Sequence, residues 1–256
     1  MNGQLYQSCR IAAAAKKALK EQTSLVFEPF SYENKTEFQF LPHDGLSAGK
    51  PYTAPNPSEW FDCCIKKGLQ DIVLTVPVTV SERSVLGFSN TDESTLLCFY
   101  ERHAAYFTAH WTFDSEHSVW NTLYTEYEWI YVPAAKPRFK DESESFLKVL
   151  EKIKEFAVRI DCGEFAGIFQ KAADLIKGVS GFDTAEYELQ LPAVPERNLR
   201  IFKAAGTADV FGAMGSWNDE PPFSAYKKGL GAEYDELSDE LLKQIRSAVL
   251  YSVNEW

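Results

Sequence analysis

Glu126 and Glu128 stand two residues apart in a stretch rich in aromatic and β-branched residues. On a strand, residues i and i+2 share a face, which puts the two carboxylates roughly 6–7 Å apart. Carboxyl groups at that separation suit general acid and base work on a glycosidic bond. Alternation places Tyr106, His110 and Tyr124 on or near the same face, so these five residues make one candidate ligand face. The plainer reading is a solvated sheet face, because an antiparallel sheet with one wet side alternates polar and apolar residues anyway.

The segment from Asp209 to Asp219 is a second candidate. Gly212, Gly215, Trp217, Asn218 and Asp219 follow one another closely, and Pro221-Pro222 stiffens the exit. As a recognition loop it would offer Asp209, Trp217, Asn218 and Asp219 to a partner, with the Trp217 ring at least partly exposed as the apolar anchor. As a purely structural segment, Gly212 caps a helix, Gly215 makes a turn and Trp217 plugs the core.

Other residues with chemical potential carry less. His103, His110 and His117 recur every seven positions, but an odd spacing on a strand turns successive side chains to opposite faces, so no metal site is expected. Cys63 and Cys64 are adjacent and read as packing residues. The five cysteines are odd in number and scattered, unlike a disulfide framework, and they point to reduced thiols in the cytoplasm. Gly45 to Lys50 brushes against a phosphate-binding loop, yet Pro51 stands where a hydroxyl should hold magnesium. Gly215-Ser216-Trp217 lacks the second glycine of a serine-nucleophile elbow. No cofactor is expected.

Charge narrows the partners. The 256 residues carry a net charge of −11, with 26 Lys+Arg against 37 Asp+Glu. The acidic excess is spread over both halves, which argues against binding nucleic acid or an anionic membrane. Glu233, Asp235, Glu236, Asp239 and Glu240 crowd the start of the last helix, where they suit the helix dipole or attract a basic protein. No window is apolar enough to span a bilayer.

The elements that must position these residues divide the chain. Residues 4–20 have a helical stripe, and 25–27, 38–41 and 72–76 read as short strands. Ser58 is placed to cap a helix that runs to Gly68. Thr95–Tyr100, Ala104–Phe113 and Val119–Val132, joined by short polar turns, predict an antiparallel meander. After the prolines at 133 and 137 the period changes to 3.6, with apolar stripes at 146–160 and 165–176, then helices over 196–211, 222–229 and from Ser238 to Asn254. The expected class is α+β, an antiparallel sheet followed by a mainly helical half packed on it, as a single domain over 1–256 with a sub-boundary at 133–137. The function that fits best is a non-catalytic, acidic interaction protein holding a basic protein partner, in the manner of an inhibitor or immunity protein. The alternative is a hydrolase or carbohydrate-processing enzyme using paired carboxylates.

Overall fold

The computed structural model describes residues 1–42, 51–129, 136–179, 189–191, 194–212 and 214–256. They form an α+β architecture with one mixed six-stranded sheet and seven α-helices among the described residues. Two compact units are present, a sheet unit (Gln4–Thr75 and Glu93–Pro137) and a helical unit (Met1–Gly3, Val76–Asp92 and Arg138–Trp256). No helix among the described residues is long and apolar enough to cross a membrane. The sequence boundary at 133–137 and the strand end at 130–132 fall on or beside residues 130–135, outside the described residues.

The sheet unit holds α1 (Gly3–Glu21), β1 (Glu33–Phe40), β2 (Tyr52–Ala54), α2 (Pro57–Lys66), β3 (Leu69–Thr75), β4 (Thr95–Tyr100), β5 (Ala104–Asp114) and β6 (Val119–Glu128). The strand order is β2-β1-β6-β5-β4-β3. The expected meander is present, with β4–β5 and β5–β6 antiparallel. The sheet as a whole is not antiparallel, however, because β1 joins β6 in parallel, pairing Phe38 with Tyr124. Residues 25–27 make no strand. The carbonyl of Glu28 instead accepts from the Arg10 guanidinium, and Val26 is exposed.

One sheet face is covered. Phe38 stacks on Trp60 of α2 at 4.5 Å and on Tyr124 of β6 at 4.6 Å, and Phe107 packs edge-on against Trp60. Helix α1 docks through polar atoms. The Gln4 amide donates to the Ala109 carbonyl, the Tyr124 hydroxyl donates to Gln7, and Gln7 in turn donates to Glu33 and Thr36. Buried polar groups need such partners, and this network fixes how α1 sits on the sheet. Helix α2 begins two residues earlier than Ser58 implies. Asn56 is the cap, accepting from the Glu59 amide at 2.8 Å, because Pro57 has no N–H and fits the first helical position.

The helical unit contains α3 (Ser143–Arg159), α4 (Gly163–Lys177), α5 (Glu196–Ala208), α6 (Glu220–Lys227) and α7 (Gly231–Asn254). The α3 stripe is core, with Phe146, Ile153 and Phe156 buried, whereas the α4 stripe is core only in part: Phe165, Phe169 and Ala172 are buried, but Ile168, Leu175 and Ile176 are half-buried. Gly178 ends α4 in the left-handed region at φ 68°, a C-cap conformation glycine takes without Cβ strain. Helix α5 stops at Ala208, so Gly212 is not its cap. Helix α7 starts at Gly231 rather than Ser238. Ser238 lies inside it, fully buried, with its hydroxyl taken by the Trp217 indole.

Candidate functional site

The connection between β3 and β4 belongs to the helical unit, and Arg83 opens a short 3-10 turn there, Arg83–Gly87. In α7, Asp235 and Asp239 are four residues apart and therefore share a helix face. The Arg83 guanidinium donates to Asp235 at 2.9 Å and to Asp239, and its Cζ lies 5.7 Å from the Tyr234 ring centroid. Asn218 Nδ2 donates to the Arg83 carbonyl at 3.0 Å, tying the 209–219 loop to the same place. Around these residues lies an open depression of about 570 Å³, lined also by Glu82, Ser84 and Pro222.

The electrostatics follow from this packing. Burial works against charge on Arg83, but its hydrogen bonds to Asp235 and Asp239 outweigh it and hold the guanidinium above its ordinary range. Burial pushes the Tyr234 phenol up, against the pull of Arg83. Although Arg83 engages both acids, Asp235 and Asp239 remain 68% and 65% exposed. The depression therefore has a cation already seated and an acidic rim still open to solvent.

Of the loop residues, Asn218 lines this depression, while the others are engaged elsewhere. Trp217 is the main correction. Its relative exposure is 0%, not the partial exposure a recognition anchor requires. Phe165 and Phe169 meet it edge-on at 5.1 and 5.4 Å, Tyr234 stacks on it at 5.7 Å, and its indole N–H donates to Ser238 at 2.8 Å. Gly215, at φ 77°, makes the turn that sends the ring inward. Asp219 accepts from the Gly215 amide, and Asp209 lies 3.6 Å from the Met1 nitrogen. Met214, not Trp217, is the large apolar side chain this loop shows to solvent.

The second candidate face is split by the register. Residues directly opposite in a ladder share a face. Tyr124 lies opposite Ala109 and Glu126 opposite Phe107, on the covered side, whereas Tyr106 and His110 lie opposite Tyr127 and Leu123, on the other. Glu126 is buried, in an ion pair with Lys67 at 3.2 Å, and accepts from the Leu41 amide at 2.8 Å. Glu128 is exposed at the strand end. The two glutamates are thus not a solvated pair: one is buried and ion-paired, the other exposed. Alternation correctly groups residues within a strand, but only the ladder decides which groups of two strands meet.

All five cysteines are buried thiols. The Tyr100 hydroxyl donates to Cys64 Sγ at 3.5 Å, and burial lifts the Cys98 thiol well above the usual range, away from the reactive thiolate. His103 stacks on Tyr100 and His117 pairs with Asp114. Among the described residues no group of three His, Cys, Asp or Glu side chains is arranged to hold a metal ion. The 45–50 segment, apart from Pro51 beyond it, lies outside the described residues.

No family model, curated protein or solved structure matches this chain. The site therefore stands on its own geometry. Sequence reasoning missed Arg83 and Tyr234, and it used Pro222 only as a stiffener of the loop exit. The i, i+4 spacing of Asp235 and Asp239 was a usable signal, but Arg83 lies 152 residues from Asp235 and has no local mark.

The tyrosines supply a pH test of this packing. Burial, with Glu33 adding to it, pushes Tyr32 up to about 12, and burial likewise raises Tyr100 and Tyr234. A phenol whose folded pKa exceeds its unfolded value of about 10 contributes stability that is intact below pH 10 and lost as pH rises through the folded value. Absorbance titration at 295 nm is expected to show the buried Tyr100 and Tyr234 ionising only together with alkaline unfolding, and the partly exposed Tyr32 titrating late. Complete, reversible ionisation of all 12 tyrosines near pH 10 in the folded protein would contradict it.

Proposed function

We propose that this chain is a non-catalytic binding protein that receives a basic protein partner at the acidic depression of the helical unit. The observation that carries the reading is the Asp235–Asp239 pair, which already coordinates one guanidinium and keeps about two thirds of each side chain exposed. A site that holds Arg83 in this way has the chemistry to hold a partner's arginine or lysine beside it. The net charge of −11 adds long-range attraction for such a partner.

The hydrolase reading is less favoured, because in neither pair it needs are both carboxylates open: Glu126 is engaged by Lys67 and leaves only Glu128 exposed, while Asp219 is engaged by a backbone amide and Asp209 by the Met1 nitrogen. A reducing, cytoplasmic setting goes with the binding reading, supported by five buried thiols. The chain passes between the two units at Gly3/Gln4, Thr75/Val76, Asp92/Glu93 and Pro137/Arg138. Repeated crossing supports treating 1–256 as a single folding domain rather than two separable modules.

The test is quantitative affinity capture from the native host, comparing the wild-type chain with a D235K/D239K variant of equal thermal stability. A basic protein is expected whose recovery falls at least about tenfold in the variant, the equivalent of about 1.4 kcal/mol. Recovery should also weaken with added salt, since rim charges are screened within roughly 10 Å at 0.1 M. Identical captured sets for the two proteins would overturn the reading.

A further inference from the structure

Two large apolar side chains stand exposed on the helix that borders the depression. Phe223 is 58% and Tyr226 78% exposed, and they are three residues apart in α6, so they lie on one helix face. The opposite side of α6 is anchored, with Pro221 and Ala225 buried. Pro222, immediately before Phe223, is part of the depression's lining together with Asp235 and Asp239. Met214, at the tip of the preceding loop, is almost fully exposed as well.

We infer that the binding surface continues from the acidic depression onto Phe223 and Tyr226 and selects a basic protein segment that presents an apolar anchor next to its positive charges. This inference rests on the binding reading above and names the partner's chemistry. A single exposed apolar residue is ordinary, but two aromatic rings on one face, beside an acidic cavity, form the mixed surface on which interface energy concentrates. Their helix is short and held by buried prolyl and alanyl contacts, so little conformational freedom is lost when a partner covers them.

Charge decides the occupant. A second copy of this chain would bring another −11 toward Asp235 and Asp239, and the repulsion disfavours it. A basic segment gains at the same place. Lys227 lies over the Phe223 ring, 4.1 Å from its centroid. The partner's charges therefore belong on the Asp235–Asp239 side, and an apolar residue belongs against Phe223. An amphipathic basic segment satisfies both conditions, whereas a uniformly charged one satisfies only the first.

Two synthetic peptides of equal length and charge test this with the full chain, one built of leucine and lysine at helical spacing and one with every leucine replaced by serine. Calorimetric titration is expected to show the leucine peptide binding at least about tenfold more tightly. F223A/Y226A should remove that preference and leave the weak binding of the serine peptide unchanged. Y226F, which keeps the ring, should retain the preference, and unchanged thermal midpoints will show that both variants are folded. D235N/D239N should weaken both peptides. If F223A/Y226A leaves the preference intact while D235N/D239N still weakens binding, this inference fails and the acidic site stands. If D235N/D239N changes nothing, the acidic site fails and this inference falls with it. A concentration-dependent dimer that F223A/Y226A abolishes would assign the aromatic patch to a second copy and overturn the inference.

Discussion

Trp217→Ala is expected to lower the unfolding free energy by about 3–5 kcal/mol, the range for emptying a buried aromatic site. The ring has no exposed surface and fills the space between Phe165 and Phe169 of α4 and Tyr234 of α7. Truncation leaves a cavity between α4 and α7, and it takes the indole donor from the buried Ser238 hydroxyl. Trp217→Phe keeps much of the volume and removes the same donor, so it should cost less, about 1–2 kcal/mol. Denaturant midpoints of the two variants separate the packing contribution from the hydrogen bond. The alanine variant should also bind partner poorly, because Tyr234 both stacks on Trp217 and faces the Arg83 guanidinium. A midpoint unchanged by Trp217→Ala, with iodide quenching a mobile Trp217, would return this residue to the surface and revive its role as an anchor.

The inward course of Trp217 was not legible because nothing local decides it. The loop composition signals a turn, and Gly215 makes one, but the ring's destination depends on partners 52, 48 and 17 positions away, at Phe165, Phe169 and Tyr234. The meander was legible for the opposite reason. Its strands are rich in β-branched and aromatic residues, and the connections at 101–103 and 115–118 are too short to allow anything but antiparallel neighbours. Parallel pairing of β1 with β6 has no such turn to announce it, since the partners are 86 residues apart at Phe38 and Tyr124. The stripes of α3 and α4 could be read because period 3.6 persists over several turns in each. The start of α7 could not, because Ser238 resembles a cap and only the Trp217 indole explains its hydroxyl. At the candidate site the acidic cluster was visible as composition. Its meaning changed once Arg83, from a distant connection, was found seated between two of its members.

Removing Glu126 alone, as Glu126→Leu, is expected to cost about 3–5 kcal/mol, the penalty for leaving one member of a buried ion pair without its partner. The Glu126 and Lys67 side chains are only 2% and 13% exposed, so solvent screens the pair little. Glu126 also accepts from the Leu41 amide, which would lose its acceptor, while Lys67 retains the Phe40 ring, 4.4 Å from its nitrogen. Replacing both charges, as K67M/E126L, removes the stranded cation and should recover most of the loss, because a well-packed apolar pair can equal a buried ionic one. A double-mutant cycle by urea denaturation therefore expects strong positive coupling. The sign of the single-variant effect also bears on function. Catalytic carboxylates are held at a cost to stability, so replacing one commonly stabilises a protein, whereas a structural ion pair destabilises when broken. A more stable Glu126→Leu protein would contradict the structural assignment of Glu126 and reopen hydrolytic chemistry on this sheet face. The expected destabilisation, relieved in the double variant, ties Glu126 to holding β6 against α2 and gives it a structural reason that needs no ligand on this sheet face.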